Sequence, residues 1–321
     1  VPFCVRRCDY CAFATWTDRE HLIDEYLAAC RAQARTASTN LPDITSVFIG
    51  GGTPNLVPAD TLMSIFRELP IAPTAEFTVE CNPDLVDRQQ METYVAAGVN
   101  RVSLGVQSMV PHVLTSLGRD HNPHNVHEAV QTIREAGIAH LNLDLIYGAK
   151  GESISDWKTS VESALALRPE HLSTYALTVE PGTPLAEDKD RHPEDDDQAD
   201  KYLLADDLIS SAGLANYEIS NWAQPGEHCQ HNMLYWTQGE YLGLGVAAHS
   251  HVGQRRFWSM RTPERFIKAI TEGSSVEAGA EELDPDAWAL EGRQLAIRTS
   301  EGVLEEFVSD EVQHLTESSE V

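Results

Sequence analysis

Five short apolar runs punctuate the first half of the chain: TSVFIG (45–50), EFTVECNP (76–83), RVSLGVQ (101–107), HLNLDLIYG (140–148) and HLSTYALTV (171–179). Runs this short and this rich in β-branched and aliphatic residues predict buried strands. Between them, amphipathic stretches predict helices near 59–68, 87–97, 123–136 and 155–167. The second and third close at Gly98 and Gly137, and the fourth stops before Pro169. Strand and helix alternate, and the strands read as apolar on both faces, which predicts a parallel sheet covered by helices. Upstream, TDREHLIDEYLAACRAQAR spaces Leu22, Ile23, Tyr26, Leu27 and Cys30 as a helix would, with Cys30 on the core side and Thr17 and Glu20 set as a capping box. The opening PFC reads as the stub of an earlier, truncated strand, giving six βα-type units before residue 180.

The pattern breaks at EPGTPLAEDKDRHPEDDDQAD (180–200). This charged, proline-containing stretch divides a barrel-like part, 1–180, from a linker and smaller part, 181–321. The second part holds a helix near 197–212 and then YEISNWAQPGEHCQHNMLYW (217–236), dense in polar and aromatic residues. The glycine-rich YLGLGVAAHSHV (241–252) follows, carrying His249 and His251. From 284 a helix runs into a charged end that reads as frayed, and as cut short at Val321.

Polar residues gather where the strands end: Thr53, Glu80 and Asn82, Gln107, Asp144. In a parallel barrel those ends form the active face. Asp144 lies between Leu143 and Leu145, and a carboxylate inside so apolar a strand needs a partner or a ligand. Gly50, Gly51 and Gly52 let the backbone approach a ligand closely and offer N–H and C=O groups to the charged end of an amino acid.

Charge narrows the field. With 50 acidic against 23 basic residues the net charge is −27, which repels phosphate backbones and argues against a nucleic-acid partner. No run of about 18 apolar residues exists, so no transmembrane segment is expected, and membrane contact, if any, is peripheral. Of six cysteines, Cys30, Cys81 and Cys229 are isolated, while Cys4, Cys8 and Cys11 crowd together as C-x₃-C-x₂-C. That is no framework of secreted loops, and a reducing cytoplasm fits it. Three thiolates so close surround one small object. A cubane iron–sulfur cluster takes three and leaves one iron open. Structural zinc wants a closed set of four, for which His21 is the nearest further donor. Arg6 and Arg7 either offset the charge of such a centre or are solvated; Tyr10 and Phe13 either exclude water from it or simply pack.

VPFCVRRCDYCAF resembles the signature of the radical S-adenosylmethionine (SAM) superfamily. GGGTPNL, TVECNPD, NRVSLGVQSM, LGRDH and LNLDLIYG resemble its oxygen-independent coproporphyrinogen III oxidase branch. YALTVEPGTPL, YEISNWAQPGEHCQHNMLYW and YLGLGVAAHS are more similar still to that branch's haem chaperone group. The resemblance implies a partial (β/α)₆ TIM-like barrel with a smaller mixed α/β C-terminal domain. It implies a 4Fe–4S cluster on Cys4, Cys8 and Cys11, with SAM chelated at the open iron. Gly51, Gly52 and Thr53 match the strand end that contacts SAM, and Glu80 and Arg119 a charge pair near its methionine part. Gln107 and Asp144 match polar ribose or cofactor contacts, and Tyr10 and Ala176 the adenine side. The superfamily's shared chemistry is reductive cleavage of SAM to a radical that abstracts hydrogen, fed by a donor such as flavodoxin or ferredoxin.

Two functions follow from the resemblance. One is a haem chaperone that passes haem to acceptor proteins. The other is the oxidase itself, which converts propionates to vinyl groups in porphyrin biosynthesis. Oxidases of that branch carry one more cysteine where this chain has Phe13, and an extension before the cysteines; both departures favour the chaperone. The chaperone's HNxxYW signature is met by His231, Asn232, Tyr235 and Trp236. Histidine ligates haem iron and aromatics cover porphyrin faces; Cys229 is a second candidate ligand. An RNA methylthiotransferase would need a further cluster domain and a basic surface, and neither is visible. A scaffold with a purely structural cluster is the remaining reading. Lys150, in IYGAKGES, stands where relatives usually carry proline.

Overall fold

The computed structural model describes residues 1–119 and 122–303. Asp120 and His121 of the LGRDH motif, and the charged end beyond 303, lie outside the described residues. Strands β1 (Ile44–Ile49), β2 (Ile71–Cys81), β3 (Arg101–Gln107), β4 (His140–Tyr147) and β5 (His171–Ala176) lie side by side in that order, all parallel. β6 (Ala215–Glu218) and β7 (Asn221–Ala223) extend the same sheet antiparallel, with β7 against β5 and β6 outermost. The seven-stranded sheet curls into a half-barrel of the partial TIM type.

Helices α1 (Ile23–Ala37), α2 (Ala59–Phe66), α3 (Arg88–Ala96), α4 (Pro111–Ser116), α5 (Pro123–Glu135) and α6 (Ile154–Ala166) alternate with these strands. The short α7 (Pro184–Glu187) and the long α8 (Asp195–Ser211) follow β5. Beyond β7 come α9 (Gln230–Trp236), a three-stranded antiparallel sheet of β8 (His249–Val252), β9 (Arg255–Ser259) and β10 (Glu277–Glu282), and the helices α10 (Pro263–Thr271) and α11 (Pro285–Ala296).

The period of two along each strand decides what faces what. Val79, Val102, Leu104, Leu141, Leu143 and Leu172 are fully buried in one core with Leu62, Met91, Tyr94, Ile133 and Trp157 from the covering helices. The alternate positions carry Glu76 and Glu80, Arg101 and Ser103, Asn142 and Asp144, His171 and Ser173. These polar residues line the concave side. The strands are therefore apolar on one face only, a correction to the two-sided expectation: the lumen is a polar compartment.

Other local expectations also shift. Thr17 and Glu20 make no capping box. Trp16 is pinned by a bridge to Phe3, and α1 starts only after a 3₁₀ turn, with Leu22 at its N-cap and no side-chain cap. β2 begins five residues earlier than the apolar run suggests, because the irregularity between Ile44↔Ile71 and Ser46↔Glu76 absorbs Pro73. Cys30 is buried on α1, as its spacing predicts. The opening segment docks at the end of β1: Gly52 N–H donates to Val1 O (2.6 Å) and Thr53 N–H to Phe3 O (2.8 Å). A groove of about 750 Å³ runs along β1 and is walled by residues from both of its faces, Phe48 on one and Val47 on the other. It is a groove along a sheet edge, separate in kind from the lumen.

Candidate cofactor site

The three clustered cysteines sit in the loop between Phe3 and Trp16, at the C-terminal ends of the strands. Cys4 is buried, Cys8 and Cys11 half-buried. The loop is held from several sides. Cys4 N–H donates to Trp16 O (3.1 Å), and Cys11 N–H to Cys8 O (3.2 Å). Arg7 donates through Nε and Nη2 to Cys11 O (3.2 and 3.0 Å). Asp9, which the sequence did not single out, is the main stitch: its carboxylate takes Arg191 Nη2 (2.8 Å) and its C=O takes Leu185 N–H (3.0 Å).

The sulfurs have polar neighbours but no closed shell. Thr53 Oγ1 donates to Cys4 Sγ and Arg119 Nη1 to Cys8 Sγ, both at 3.5 Å. Burial raises the pKa values of Cys4 and Cys11; the charges of Cys11 and Cys8 add to it at Cys4, and that of Cys8 at Cys11. Such a set suits a centre that itself stabilises thiolates. Glycines make the room. A Cβ on Gly52 would lie 3.0 Å from Cys4 Sγ and 2.6 Å from Phe3 O, and one on Gly50 would lie 2.8 Å from the Glu80 carboxylate. Arg119 donates through Nη2 to Gly105 O (2.7 Å), while its Nε is buried without a partner. Cradle, orphaned guanidinium nitrogen and thiol set together fit an iron–sulfur cluster with a small charged ligand beside it.

Below the loop, the lumen is acidic. Glu80 accepts from Gly51 N–H (3.1 Å); burial, reinforced by the Asp144 charge, pushes its pKa up to about 7. Asp144 is likewise raised by burial, and is held by Ser103 Oγ (2.7 Å) and Asn142 Nδ2 (2.9 Å). Among the described contacts no ion pair joins Glu80 to Arg119: the carboxylate turns to Gly51 and the guanidinium to Cys8 and Gly105. Gln107 takes φ 63° at a bulge against β4, which sets its side chain beside Gly105. Tyr10 packs on a small apolar cluster that includes Ile146 and Leu177, next to Ala176 at the end of β5. Phe13 is 64% exposed and shields nothing.

The opposite, N-terminal end of the strands carries α9. Glu76 of β2 caps it, accepting from Gln230 N–H (3.1 Å), His231 N–H (3.0 Å) and Cys229 Sγ (3.5 Å) while pairing with Arg101 Nε (3.1 Å). His231 stacks on Phe48 with ring centroids 5.3 Å apart. Its Nδ1 meets Ser46 Oγ (3.0 Å) and its Nε2 meets Tyr235 Oη (2.9 Å). Burial lowers its pKa, so the ring is neutral. Cys229 is different in kind: burial pushes its thiol up to about 12, which keeps it protonated against Glu76. Asn232 reaches the Tyr217 hydroxyl, and Trp236 Nε1 is buried without a partner.

A half-barrel with a three-cysteine loop at its C-terminal strand ends is the architecture of radical SAM proteins, and residues 1–164 match the model of the Radical SAM superfamily. Within it, the chain belongs to the heme chaperone HemW family. It is 40% identical over 316 residues to the heme chaperone HemW of Mycobacterium tuberculosis, covering 94% of this chain and 81% of that protein. It is 35% identical to the heme chaperone HemW of Escherichia coli, covering 87% and 76%. The solved coproporphyrinogen III oxidase HemN of Escherichia coli superposes with a TM-score of 0.83 over 93% of this chain and 74% of that one, at 21% identity, which speaks to the fold.

The sequence had named the ends of the strands but not their middles. Ser103, Asn142, His171 and Tyr217, which build the lumen's floor, each stand on a different strand. For Ser103, Asn142 and His171 the only signal was one polar position alternating with apolar ones in SLGV, LNLDL and HLST; Tyr217, in ANYE, gave none.

Proposed function

We propose that this chain holds a 4Fe–4S cluster and SAM at the cysteine end of the lumen and carries haem on α9 for delivery to acceptor proteins. Cys4, Cys8 and Cys11 would hold the cluster. SAM brings a sulfonium and an ammonium, and the acidic lumen of Glu80 and Asp144 complements both charges. The segment Gly51, Gly52 and Thr53 binds its ammonium through backbone C=O groups, the N–H groups being taken by Glu80, Val1 and Phe3; Gln107 orients the ribose, and Tyr10 and Ala176 flank the adenine. Arg119 sits where it offsets thiolate charge. When bound and reduced, a cluster of this kind supplies the electron that opens the SAM sulfonium bond, which calls for a donor such as flavodoxin or ferredoxin.

The observation that carries the haem reading is His231, a neutral imidazole at the helix's first turn. Its Nε2 is held only by the hydroxyl of Tyr235, a residue 40% exposed. Iron coordination needs that hydroxyl to step aside. Tyr235 and Trp236 then supply aromatic cover, and Asn232 anchors the turn. Cys229, held as a thiol, is the weaker candidate. Isolated cysteines and the net charge of −27 suit a cytoplasmic protein with protein, not nucleic-acid, partners. No helix among the described residues is long and apolar enough to cross a membrane.

The test is anaerobic titration of the reconstituted protein with haem, followed at the Soret band. Wild type should retain haem through gel filtration. His231→Ala should lose affinity by at least ten-fold with its iron–sulfur content unchanged. Equal retention by both proteins removes His231 from the role.

A further inference from the structure

The two ends of the lumen are joined by a single file of hydrogen bonds. Asn142 Nδ2 donates to Asp144 Oδ1 (2.9 Å) and to Ser103 Oγ (2.8 Å). Its amide oxygen therefore faces the other way, toward His171 Nδ1 (2.7 Å) and Ser173 Oγ (3.1 Å). His171 Nε2 meets Tyr217 Oη (2.8 Å), and Tyr217 Oη accepts from Cys229 N–H (3.4 Å), at the N-cap of α9. His171, Tyr217 and Ser173 are each 2% exposed and Asn142 is 6% exposed.

Every donor in this file points the same way. A backbone N–H only donates, and the Asp144 oxygen that faces Asn142 Nδ2 accepts, so Cys229 fixes one terminus and Asp144 the other. The amide oxygen of Asn142 forces His171 to carry its proton on Nδ1, and Nε2 must then take the Tyr217 hydroxyl proton. Burial and the nearby Arg101 charge hold His171 neutral, so the order is not scrambled by protonation. A reversed link would leave a buried donor facing a donor, at a cost no other contact offsets. The longest link, at 3.4 Å, is the one to α9, where a small helix movement would first be felt.

We propose that His171 and Tyr217 are positioning residues that tie the Asp144 carboxylate to the first turn of α9, so that SAM at one end and haem at the other strengthen each other's binding. This rests on the functional reading above. The file is already directed, and its loosest link is the 3.4 Å one to α9; a ligand that tightens the file at one end spares the second ligand that cost. Coupling between linked sites is commonly five-fold or more, and reciprocal, so roughly five-fold tighter haem binding is expected at saturating SAM.

Two measurements on the anaerobic, cluster-loaded protein test this. In the first, the haem dissociation constant is read at the Soret band with and without saturating SAM and no reductant. Wild type should tighten roughly five-fold. Tyr217→Phe keeps the ring on His228 and should show the ratio reduced to one, whatever its haem constant without SAM. An unchanged wild-type constant overturns the proposal, and so does a ratio that survives in Tyr217→Phe. In the second, amide hydrogen exchange on wild type needs neither a variant nor haem. SAM should slow exchange across 229–233; no change there, with SAM demonstrably bound, overturns the coupling even if haem fails to bind. Failure of SAM itself to bind overturns the functional reading, and the coupling falls with it.

Discussion

The two ends of the lumen are built from the same strands but to opposite plans. At the cysteine end, groups are left open. Cys8 and Cys11 are half-buried, Arg119 Nε has no partner, and Glu80 has one backbone donor and a repelling neighbour in Asp144. At the α9 end, the groups around His231 are closed, while Trp236 Nε1 and Arg101 Nη1 are not. Both His231 nitrogens are engaged, and Glu76 serves three donors of α9 and Arg101 at once. Under the proposed function, open valences at a fixed geometry would suit a permanent occupant, and closed valences that one exposed hydroxyl can release would suit a cargo that arrives and leaves. The difference teaches that one barrel can be built to two plans, and each plan can be broken separately.

The largest effect should come from breaking the open end alone. Cys8→Ser is expected to lose the cluster completely, with iron and the broad visible absorbance at background. The closed end does not need the cluster to stand, so haem affinity without SAM should stay within about three-fold, under 1 kcal/mol. Simultaneous loss of both would mean that the ends are not separately built.

Next in size is the closed end's keystone. Glu76 and Arg101 are 9% and 4% exposed, so removing the carboxylate strands a buried guanidinium. Glu76→Ala should cost about 3 kcal/mol in denaturant unfolding, the usual result of breaking a buried pair from one side. The same change also uncaps α9. A loss below about 1 kcal/mol would show that Arg101 finds compensation in Glu227, whose C=O it already contacts at 2.9 Å.

How much of this was legible follows from the same contrast. The open end is written in consecutive residues, because one small cofactor must be touched from one loop and one turn. VPFCVRRCDYC and GGGTP therefore announce it. The closed end is assembled across the fold: Ser46, Glu76, Arg101 and His231 come from three strands and a helix, and no spacing links them. The five parallel strands were legible in order, since apolar residues recur along each; the opening PFC proved to be an isolated bridge rather than a strand, and β6 and β7 were not foreseen. The polar face of the five was not legible, because single residues such as Ser103 and Asn142 look incidental until the register sets them side by side. The failed capping box has the same root. Thr17 and Glu20 have the right local spacing, but the bridge from Phe3 to Trp16 decides where the chain goes.

A smaller effect has an unusual sign. If Tyr235 competes with iron for His231 Nε2, then Tyr235→Phe should tighten haem binding by about five-fold, the worth of one ordinary hydrogen bond near 1 kcal/mol. Aromatic cover is retained by the phenylalanine. Weaker binding in the variant would show that the hydroxyl helps to hold haem, and that the closed end opens by another route.

The smallest prediction asks whether an open valence always signals a ligand. Glu218 on β6 is 1% exposed, its Oε2 accepts from Ser220 N–H (3.0 Å), and its Oε1 has no partner. Unlike a guanidinium, a carboxylate can fill its own open valence with a proton. Burial does push its pKa up, from the ordinary 4.5 to about 6. The folded state then binds the proton more tightly than the unfolded chain. Stability from this site is fully present below the ordinary value and is lost as pH rises through the raised one. Glu218→Gln carries a permanent neutral group that keeps the acceptor for Ser220 and offers an N–H toward Asn221, whose Oδ1 also lacks a partner across the strand pair. The variant should match wild type below about pH 4 and exceed it by about 1 kcal/mol above pH 7 in urea unfolding, the shift being discounted for solvent screening. A pH-independent difference would mean that Glu218 binds its proton equally well folded and unfolded, and that its free oxygen, like the nitrogen of Arg119, is waiting for something other than a proton.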